Sequence, residues 1–440
     1  MIESRKGLEQ VQPSRPRVLA SSRPRDFATL RLCVRIHPHR HSGGLVISGL
    51  KLMFWLGWAL FAGVVLWVIP PVAWFLSRRL LPTDRSVDDD CPDVVVIVPA
   101  RNEEEAIANA LTSILRSDYP KLKLIAINDR STDRTGELMN EVARQDVRCQ
   151  IVHVEFLPDG WLGKNHAMHV AAESVLPVDT SEPHNQLLLF TDGDVIYESA
   201  AISSAVHYLQ DRQLDHLALL PRMIPGSYLE NGVVAFFGFA LAIGQQSHLI
   251  TTRWPFAYAG VGAFNLITTE LYRRFDGHQR IAMDVLDDMK LGKLAKQHGG
   301  RQDFLGAPDL LSLRWYHSLW GVITGLEKNG FAALNYSLWE LLMTSIVFFS
   351  TMVAPYVLIM VLPVEQSMGF LAAIATWHVM YALTAARFGG GILQLPMFPI
   401  AAWLMAIAFW RSAWVTLRQG GIRWRESFYS LKELRSRIYR

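Results

Sequence analysis

The sequence predicts an α/β protein, a doubly wound parallel sheet joined to transmembrane α-helices. Three observations predict it. Short apolar runs alternate with helical patterns between residues 92 and 330. A charge-free stretch, 53–77, precedes that region, and three long apolar stretches, 338–362, 368–387 and 392–416, follow it. Alternating strand and helix signals mark βαβ units, whose crossover helices cover a parallel sheet. Apolar runs of about 20 residues are long enough to cross hydrocarbon.

Composition agrees. Half of the 440 residues are hydrophobic and 14 are Trp. The mean hydropathy of +0.17 is too apolar for an ordinary soluble chain. A formal charge of +3 points to no nucleic-acid partner. The basic residues cluster near the termini and beside apolar runs, as membrane flanks do. The cysteines, Cys33, Cys91 and Cys149, lie far apart. They offer no disulfide framework or metal spacing and fit a reducing compartment.

Residues 1–45 are rich in Arg, Pro and Ser without apolar periodicity, so they read as disordered. His37, His39 and His41 read as part of a solvated basic tail, not a metal site. Lys51-Leu52-Met53 opens the first apolar run. Met53 is a candidate initiator, which makes 1–52 a candidate over-extended start. The stretch 53–77 reads as an uncleaved anchor, kinked or ended at Pro70-Pro71. Ser77-Arg78-Arg79 then puts that end in the cytoplasm.

Strands are expected at Asp93–Val98, Leu122–Asn128, Gln150–Val154, Leu187–Thr191 and His216–Leu220. A helix is expected from Asn102, with Glu105 completing a capping box. The region 229–249 reads as a helix lying on the membrane surface. Among the last stretches, Glu340 opens the first, and Pro396 and Pro399 interrupt the third. The basic, aromatic residues 417–440 are expected on an anionic membrane surface. If that tail and the 92–330 region share one side, an even number of spans separates them. Three candidate stretches leave a re-entrant or interfacial segment, or an outward tail, as alternatives.

The chemistry-bearing residues lie at strand ends. The run Val94–Val98 stops at Pro99 and turns into a helix. That turn brings backbone N–H groups and the side chains of Arg101 to Glu103 to the sheet edge where nucleotides bind. A plain capped loop gives the same pattern. Asn128-Asp129 repeats it at the next strand. Ser131, Thr132 or Asp133 can cap the helix that follows, which is the preferred reading of Asp133. For Asp129 a hydrogen bond to a nucleoside is the sharper option. Gly160–Ala167 is a Gly-rich turn into a helix, with Lys164 able to neutralise phosphate. His166 and His169 share a face of that helix without a third ligand and read as structural.

Leu187–Phe190 runs into Asp192-Gly193-Asp194. Close carboxylates repel, so they need a cation between them or solvating water. Hard oxygen ligands suit Mg²⁺ or Mn²⁺, and such ions commonly hold a diphosphate. Gly260–Asn265 is either a turn before a strand or a binding loop. Asp287-Asp288 offers a carboxylate base, with Asp284 and Asp287 near enough in sequence to raise the pKa of Asp288. Helix capping competes, above all for Asp287. Arg314-Trp315-Tyr316 precedes an amphipathic helix reaching Lys328. Interfacial anchoring by Trp315, Tyr316 and Trp320 competes there with a diphosphate contact from Arg314.

In this order and at these intervals, the motifs resemble glycosyltransferase family 2, over about residues 92–330. Members have the GT-A fold and use nucleotide-sugar donors. The resemblance implies that Pro99, Ala100, Arg101, Asn102, Glu103 and Asp129 bind the nucleoside. It implies that Asp194 coordinates the metal under the diphosphate, with Asp192 beside it and Lys164 and Arg314 near the donor. Gly262 and Phe264 then fall in an acceptor-side loop, with Asp287 close by, and Asp288 matches the catalytic base. The family usually has Asp-Asp where this chain has Asn128-Asp129, and Ala where it has Gly193. Asp287 stands in the Glu position of Glu-Asp-x-x-Leu-Gly.

Leu311 replaces the Gln of the Gln-x-x-Arg-Trp motif of processive synthases, which weighs against a polysaccharide synthase. A non-catalytic membrane protein on this scaffold is the other alternative, and the presence of Asp129, Asp194 and Asp288 weighs against it. The implied activity is inverting transfer of a sugar from a nucleotide sugar, expected to be UDP-linked, to a hydroxyl of a membrane lipid or polyisoprenoid. The membrane arrangement is similar to ceramide glucosyltransferase-like, hopanoid- and carotenoid-associated enzymes. The expected place is the bacterial inner membrane, with the catalytic domain in the cytoplasm.

Overall fold

A computed structural model describes residues 43–77, 80–83, 91–176, 185–224, 226–315, 318–387, 391–424 and 427–439. The expectations for residues 1–42, including Cys33, His37, His39 and His41, and for Arg78, Arg79 and Tyr316, lie outside the described residues. The chain divides into two units, Met1–Gly49 and Leu50–Arg440. Apart from the first residues of one helix, everything discussed below lies in the second.

The strands are β1 Asp93–Ala100, β2 Leu122–Asp129, β3 Cys149–Val154, β4 Gln186–Phe190, β5 Ile196–Tyr197, β6 His216–Met223, β7 Asn265–Thr268 and β8 Gln302–Leu313, with β9 Gly421–Trp424 and β10 Ser427–Ser430 in a separate hairpin. The helices are α1 Gly43–Ser77, α2 Ile107–Leu115, α3 Thr135–Gln145, α4 Gly163–Glu173, α5 Ala201–Asp211, α6 Tyr228–Gly244 and α7 Thr269–Arg274. They continue with α8 Asp287–Gln297, α9 Leu319–Ala333, α10 Leu338–Phe348, α11 Ala354–Val361, α12 Val364–Arg387, α13 Met397–Gln419 and α14 Leu431–Arg437.

β1 shows why the sheet is central. Its sequence DVVVIVPA is buried from Val94 onward, as a strand covered on both faces must be. Val94, Val96 and Val98 pack with Leu111 and Ile114 of α2. Val95 and Ile97 face the other way, onto Ala167, Met168 and Ala171 of α4. The sheet order is β3-β2-β1-β4-β7-β6-β8-β5. β3, β2, β1 and β4 run parallel, while β7 lies antiparallel between β4 and β6. The sheet is therefore mixed, where the sequence predicts a parallel one. Strands β5 and β8 were not expected, and β5 is too short to show a period. β7 follows the Gly260–Phe264 segment, as the turn-before-a-strand alternative has it, and needs no crossover helix because it runs back against its neighbours.

Two helix starts also differ. α2 begins at Ile107, not Asn102. Asn102 adopts φ +53°, a left-handed conformation that Asn tolerates and a helix start does not. Pro396 is the residue before α13 and Pro399 sits in its first turn, so both begin that helix rather than interrupt it. α1 runs through Pro70 and Pro71 to Ser77.

Among the described residues, four helical runs are long and apolar enough to cross a membrane: Ser48–Ser77, Leu338–Val361, Val364–Arg387 and Met397–Gln419. A π turn, Phe349–Val353, joins α10 to α11 within the second. α6 is not a free surface helix. Val233, Phe236 and Phe239 pack among Val64 and Val68 of α1, Trp377 and Tyr381 of α12, and Phe398 of α13. The segment after α13 folds back onto the domain: Arg435 donates to the Tyr336 carbonyl at 2.6 Å, and the Tyr439 N–H donates to Asp284 Oδ2 at 3.0 Å.

Candidate active site

The ends of β1, β2 and β4 meet at one sheet edge, and three turns build the site there. The turn after β1 is knitted to the turn after β2. Asn102 N–H donates to Ser131 Oγ at 3.1 Å and Glu103 N–H to Thr135 Oγ1 at 2.8 Å. Thr132 N–H donates to Asn102 Oδ1 at 2.8 Å. Asp133 joins this brace: it accepts from Glu104 N–H at 3.2 Å and Thr135 N–H at 3.0 Å. Its job therefore extends across both turns, and Arg134, not Asp133, stands at the helix boundary. Backbone donors that would otherwise be orphaned are satisfied, so the turns hold their shape.

Asp129 is buried at the end of β2, and Arg130 grips it with bonds of 2.7 and 3.1 Å. Gly163, at the start of α4, lies against it; a Cβ there would stand 2.3 Å from Asp129 Oδ2. Lys164 follows. Its ammonium bridges Asp192 Oδ1 at 2.8 Å and Asp287 Oδ2 at 3.0 Å. Gly262 closes the other side. Its carbonyl accepts from Asp192 N–H at 2.9 Å, and its N–H donates to Asp288 Oδ2 at 2.8 Å. A Cβ on Gly262 would come within 2.5 Å of Asp192 Oδ2. The second oxygen of Asp288 accepts from Met289 N–H at 2.8 Å. The two acidic pairs, distant in sequence, thus form one cluster around Lys164.

Electrostatics differ sharply within this cluster. Burial, then the charges of Asp192 and Glu103, push Asp194 up to about 7. Burial and the adjacent Asp287 push Asp288 up to about 7. Burial also raises Asp287, against the pull of Lys164. Asp192 is driven the other way: the Lys164 ammonium overcomes the cost of burial and holds it below the usual carboxylate range. Burial disfavours the Lys164 ammonium, but the carboxylates of Asp192, Asp287 and Asp288 outweigh it and raise its pKa. Asp284 faces Lys290 at 3.7 Å and accepts from the Tyr439 N–H.

Two cavities meet at this cluster. The first, about 350 Å³, is lined by Pro99, Ala100, Arg101, Glu103, Asp129 and the Asp192–Asp194 turn. The second, about 250 Å³, is lined by Gly262, Asp287 and Asp288, and by an apolar wall that includes Leu220, Met223, Phe237 and Leu241. Lys164, Asp192, Asp194, Trp315, Lys328 and Trp424 line both. Three expected residues do not reach these walls. Arg314 is exposed, Phe264 is buried in the sheet core beside Tyr197, and Asn102 is spent bracing the turns.

Three residues were missed by sequence reasoning: Lys328 of α9, Trp424 of β9 and Tyr429 of β10. Lys328 sits 4.1 Å over the Trp424 ring, and Tyr429 OH accepts from Gly163 N–H at 3.2 Å. No local motif marks them, because they arrive from beyond the last apolar helix or from a helix read only as amphipathic. His169 stacks on Trp161 at 4.8 Å. Among the described residues no group of three His, Cys, Asp or Glu side chains is arranged to hold a metal by itself.

The family model "Glycosyltransferase like family 2" matches residues 92–309. A 4,4'-diaponeurosporenoate glycosyltransferase of Staphylococcus haemolyticus is 23% identical over 221 residues, 49% of this chain and 55% of that protein. A probable glycosyltransferase, YdaM of Bacillus subtilis, is 34% identical over 94 residues, 21% of this chain and 22% of that one. The chain thus spans about half the length of the first of these relatives and less of the second. Among solved structures, a mannosyltransferase from Pyrobaculum calidifontis in complex with GDP-Man and Mn²⁺ is 20% identical at a TM-score of 0.49, covering 83% of this chain and 98% of that one. Residues 92–309 therefore carry a glycosyltransferase family 2-like domain.

Proposed function

We propose that the enzyme transfers a sugar from a nucleotide sugar, UDP-linked, to a hydroxyl of a membrane lipid. The supporting observation is the pair of cavities that share Lys164, Asp192 and Asp194 at their junction. The first is polar and suits a nucleoside diphosphate. The second has an apolar wall in which Leu220, Met223, Phe237 and Trp315 pack against the cluster formed by α1, α6, α12 and α13. An acceptor with a long apolar tail fits that continuity, because its tail stays in apolar surroundings while its hydroxyl reaches the carboxylates.

In this reading the donor's nucleoside lies along Pro99–Glu103 and Asp129, and its diphosphate near Lys164 and Lys328. Asp194 and Asp192 fit a Mg²⁺ or Mn²⁺ ion: they offer hard oxygens, and Asp194 is costly to ionise without a cation. Two carboxylates leave positions on such an ion for diphosphate oxygens and water. Such an ion, when bound, offsets charge on the leaving diphosphate.

Asp288 is the general base. Two backbone N–H groups fix its carboxylate, and it lines the acceptor cavity. The acceptor oxygen bonds to the anomeric carbon as the bond to the diphosphate breaks, the proton passes to Asp288, and the configuration inverts. Lys164 stays protonated between carboxylates and stabilises the departing charge. The enzyme acts at a membrane, with its catalytic domain on the cytoplasmic side.

The test incubates membranes holding the enzyme with labelled UDP-sugars and Mn²⁺, then separates lipid extract from polymer. Label in the lipid extract is expected. Label only in insoluble polymer, or transfer to neither fraction, would overturn the lipid-acceptor reading.

A further inference from the structure

We infer that α13, although long and apolar enough to span, does not cross the bilayer: it lies in the leaflet next to the catalytic domain and presents a Trp-rich face to lipid. The inference rests on the membrane reading above and goes beyond it by fixing which apolar helices cross. Between the sheet domain and the β9–β10 hairpin lie three candidate crossings: α10–α11, α12 and α13. The hairpin lines the same cavity as the end of β1 and the Asp192–Asp194 turn after β4, through Trp424 and Tyr429. Both ends of this stretch therefore stand on one side, and an odd number of crossings is impossible.

Packing identifies the helix that stays. α12 runs alongside α1 in the same direction. Gly369 meets the backbone of Gly57 so closely that a Cβ would stand 2.4 Å from its carbonyl carbon, and Arg387 donates to the Leu76 carbonyl. Small residues allow such approaches between membrane helices. If α1 crosses, α12 crosses with it and ends on the side where α1 enters the sheet domain. The α10–α11 run begins just after Tyr336, whose carbonyl Arg435 holds, and turns into α12 through Leu362-Pro363, so it crosses outward.

α13 then starts and finishes on the domain side. Only residues 388–396 separate it from α12, and Leu393 is held there by Tyr228 OH at 2.6 Å. An extended segment is not viable in hydrocarbon in any case. Along its length α13 rests on the catalytic domain's own helices. Phe398 packs on Phe236 of α6 at 5.9 Å, Arg411 pairs with Glu327 of α9 at 2.6 Å, and Ser412 Oγ accepts from Phe331 N–H at 2.8 Å.

The opposite face of α13 carries Ile400, Trp403, Ile407, Trp410, Trp414 and Leu417, all exposed. Their spacing of three and four places them on a single stripe. Trp is the residue of the membrane–water boundary, and an apolar stripe on a helix lying in the interface buries against acyl chains. Trp403 touches Phe349 at 5.5 Å and Trp410 donates to Ser345 at 3.1 Å. Both partners lie in the first half of the Leu338–Val361 run, the half nearer the catalytic domain.

Single cysteines test this in sealed vesicles of known orientation. They replace Val147 (sheet-domain reference), Glu365, Ile392 and Gln419, in full-length chains whose native cysteines are Ala. A membrane-impermeant maleimide reads the accessible face. Positions 392 and 419 should label from the same face as 147, and position 365 from the other. Labelling of 392 and 419 from opposite faces overturns the inference alone. Labelling of 365 from the face of 147 overturns the spanning reading of α10–α12, and the inference with it. Should the cysteine-free background lose activity, epitope tags at the same positions in the native chain, probed before and after permeabilisation, decide between the same outcomes.

Discussion

The two cavities were built by different routes. The wall of the first, the proposed donor side, comes mostly from turns that directly follow strands β1, β2 and β4, so each contribution is a short, contiguous motif. The wall of the second, the proposed acceptor side, is collected from β6, α6, the Gly260–Gly262 turn, the start of α8, the end of β8, α9 and β9. The first is a property of strand ends, where backbone geometry aims side chains at a common edge. The second is a property of packing between elements distant in the chain. Mutations should separate the two: donor-side and acceptor-side substitutions ought to move different kinetic constants.

The largest effect belongs to Asp288, on the wall of the second cavity. Asp288→Asn keeps shape but removes the proposed base, and kcat should fall by roughly 10²–10⁴-fold while nucleotide affinity holds. Transfer at a rate near wild type would remove Asp288 from the mechanism. Next is Lys328→Met, which should weaken UDP binding by about ten-fold and leave UMP binding unchanged, since a charge-assisted contact to the second phosphate is lost. Equal loss for both nucleotides in a calorimetric titration would make Lys328 a packing residue. A smaller effect is expected on the acceptor side. Phe237 lies 4.5 Å from the Trp315 ring. Phe237→Ala should raise the KM for the lipid acceptor several-fold with donor KM unmoved, and a change in donor KM instead would blur the division between the walls.

The smallest effect is on stability. Asp288 is pushed up to about 7 in the fold, above its unfolded value, so the folded state binds the proton more tightly. Its contribution to stability is full below the unfolded pKa and is lost as pH rises through 7. Wild-type Tm should therefore drop more between pH 5 and pH 8 than that of Asp288→Asn. Activity should move oppositely, rising with pH through 7 as the base loses its proton.

Legibility in the sequence followed the same division. Pro99–Glu103, Asp129, Lys164 and Asp192–Asp194 could be read because each follows an apolar strand run of normal length. β5 was invisible because two residues cannot display a period. Arg314 looked like a donor contact from its place beside Trp315, yet the structure exposes it and puts Lys328 into both cavities. A helix shows which of its residues share a face, but not which neighbour that face will meet. Trp424 and Tyr429 sit in a tail whose composition suits a membrane surface equally well.

The sequence by itself determined the α/β class, the family motifs and the apolar runs, because strand burial, turn chemistry and hydropathy are local quantities. Tertiary structure alone decided two things: that Asp192 and Asp287 share Lys164, and that the C-terminal hairpin lines the first cavity. Each depends on contacts between residues far apart in the chain, and no local pattern encodes a long-range partner.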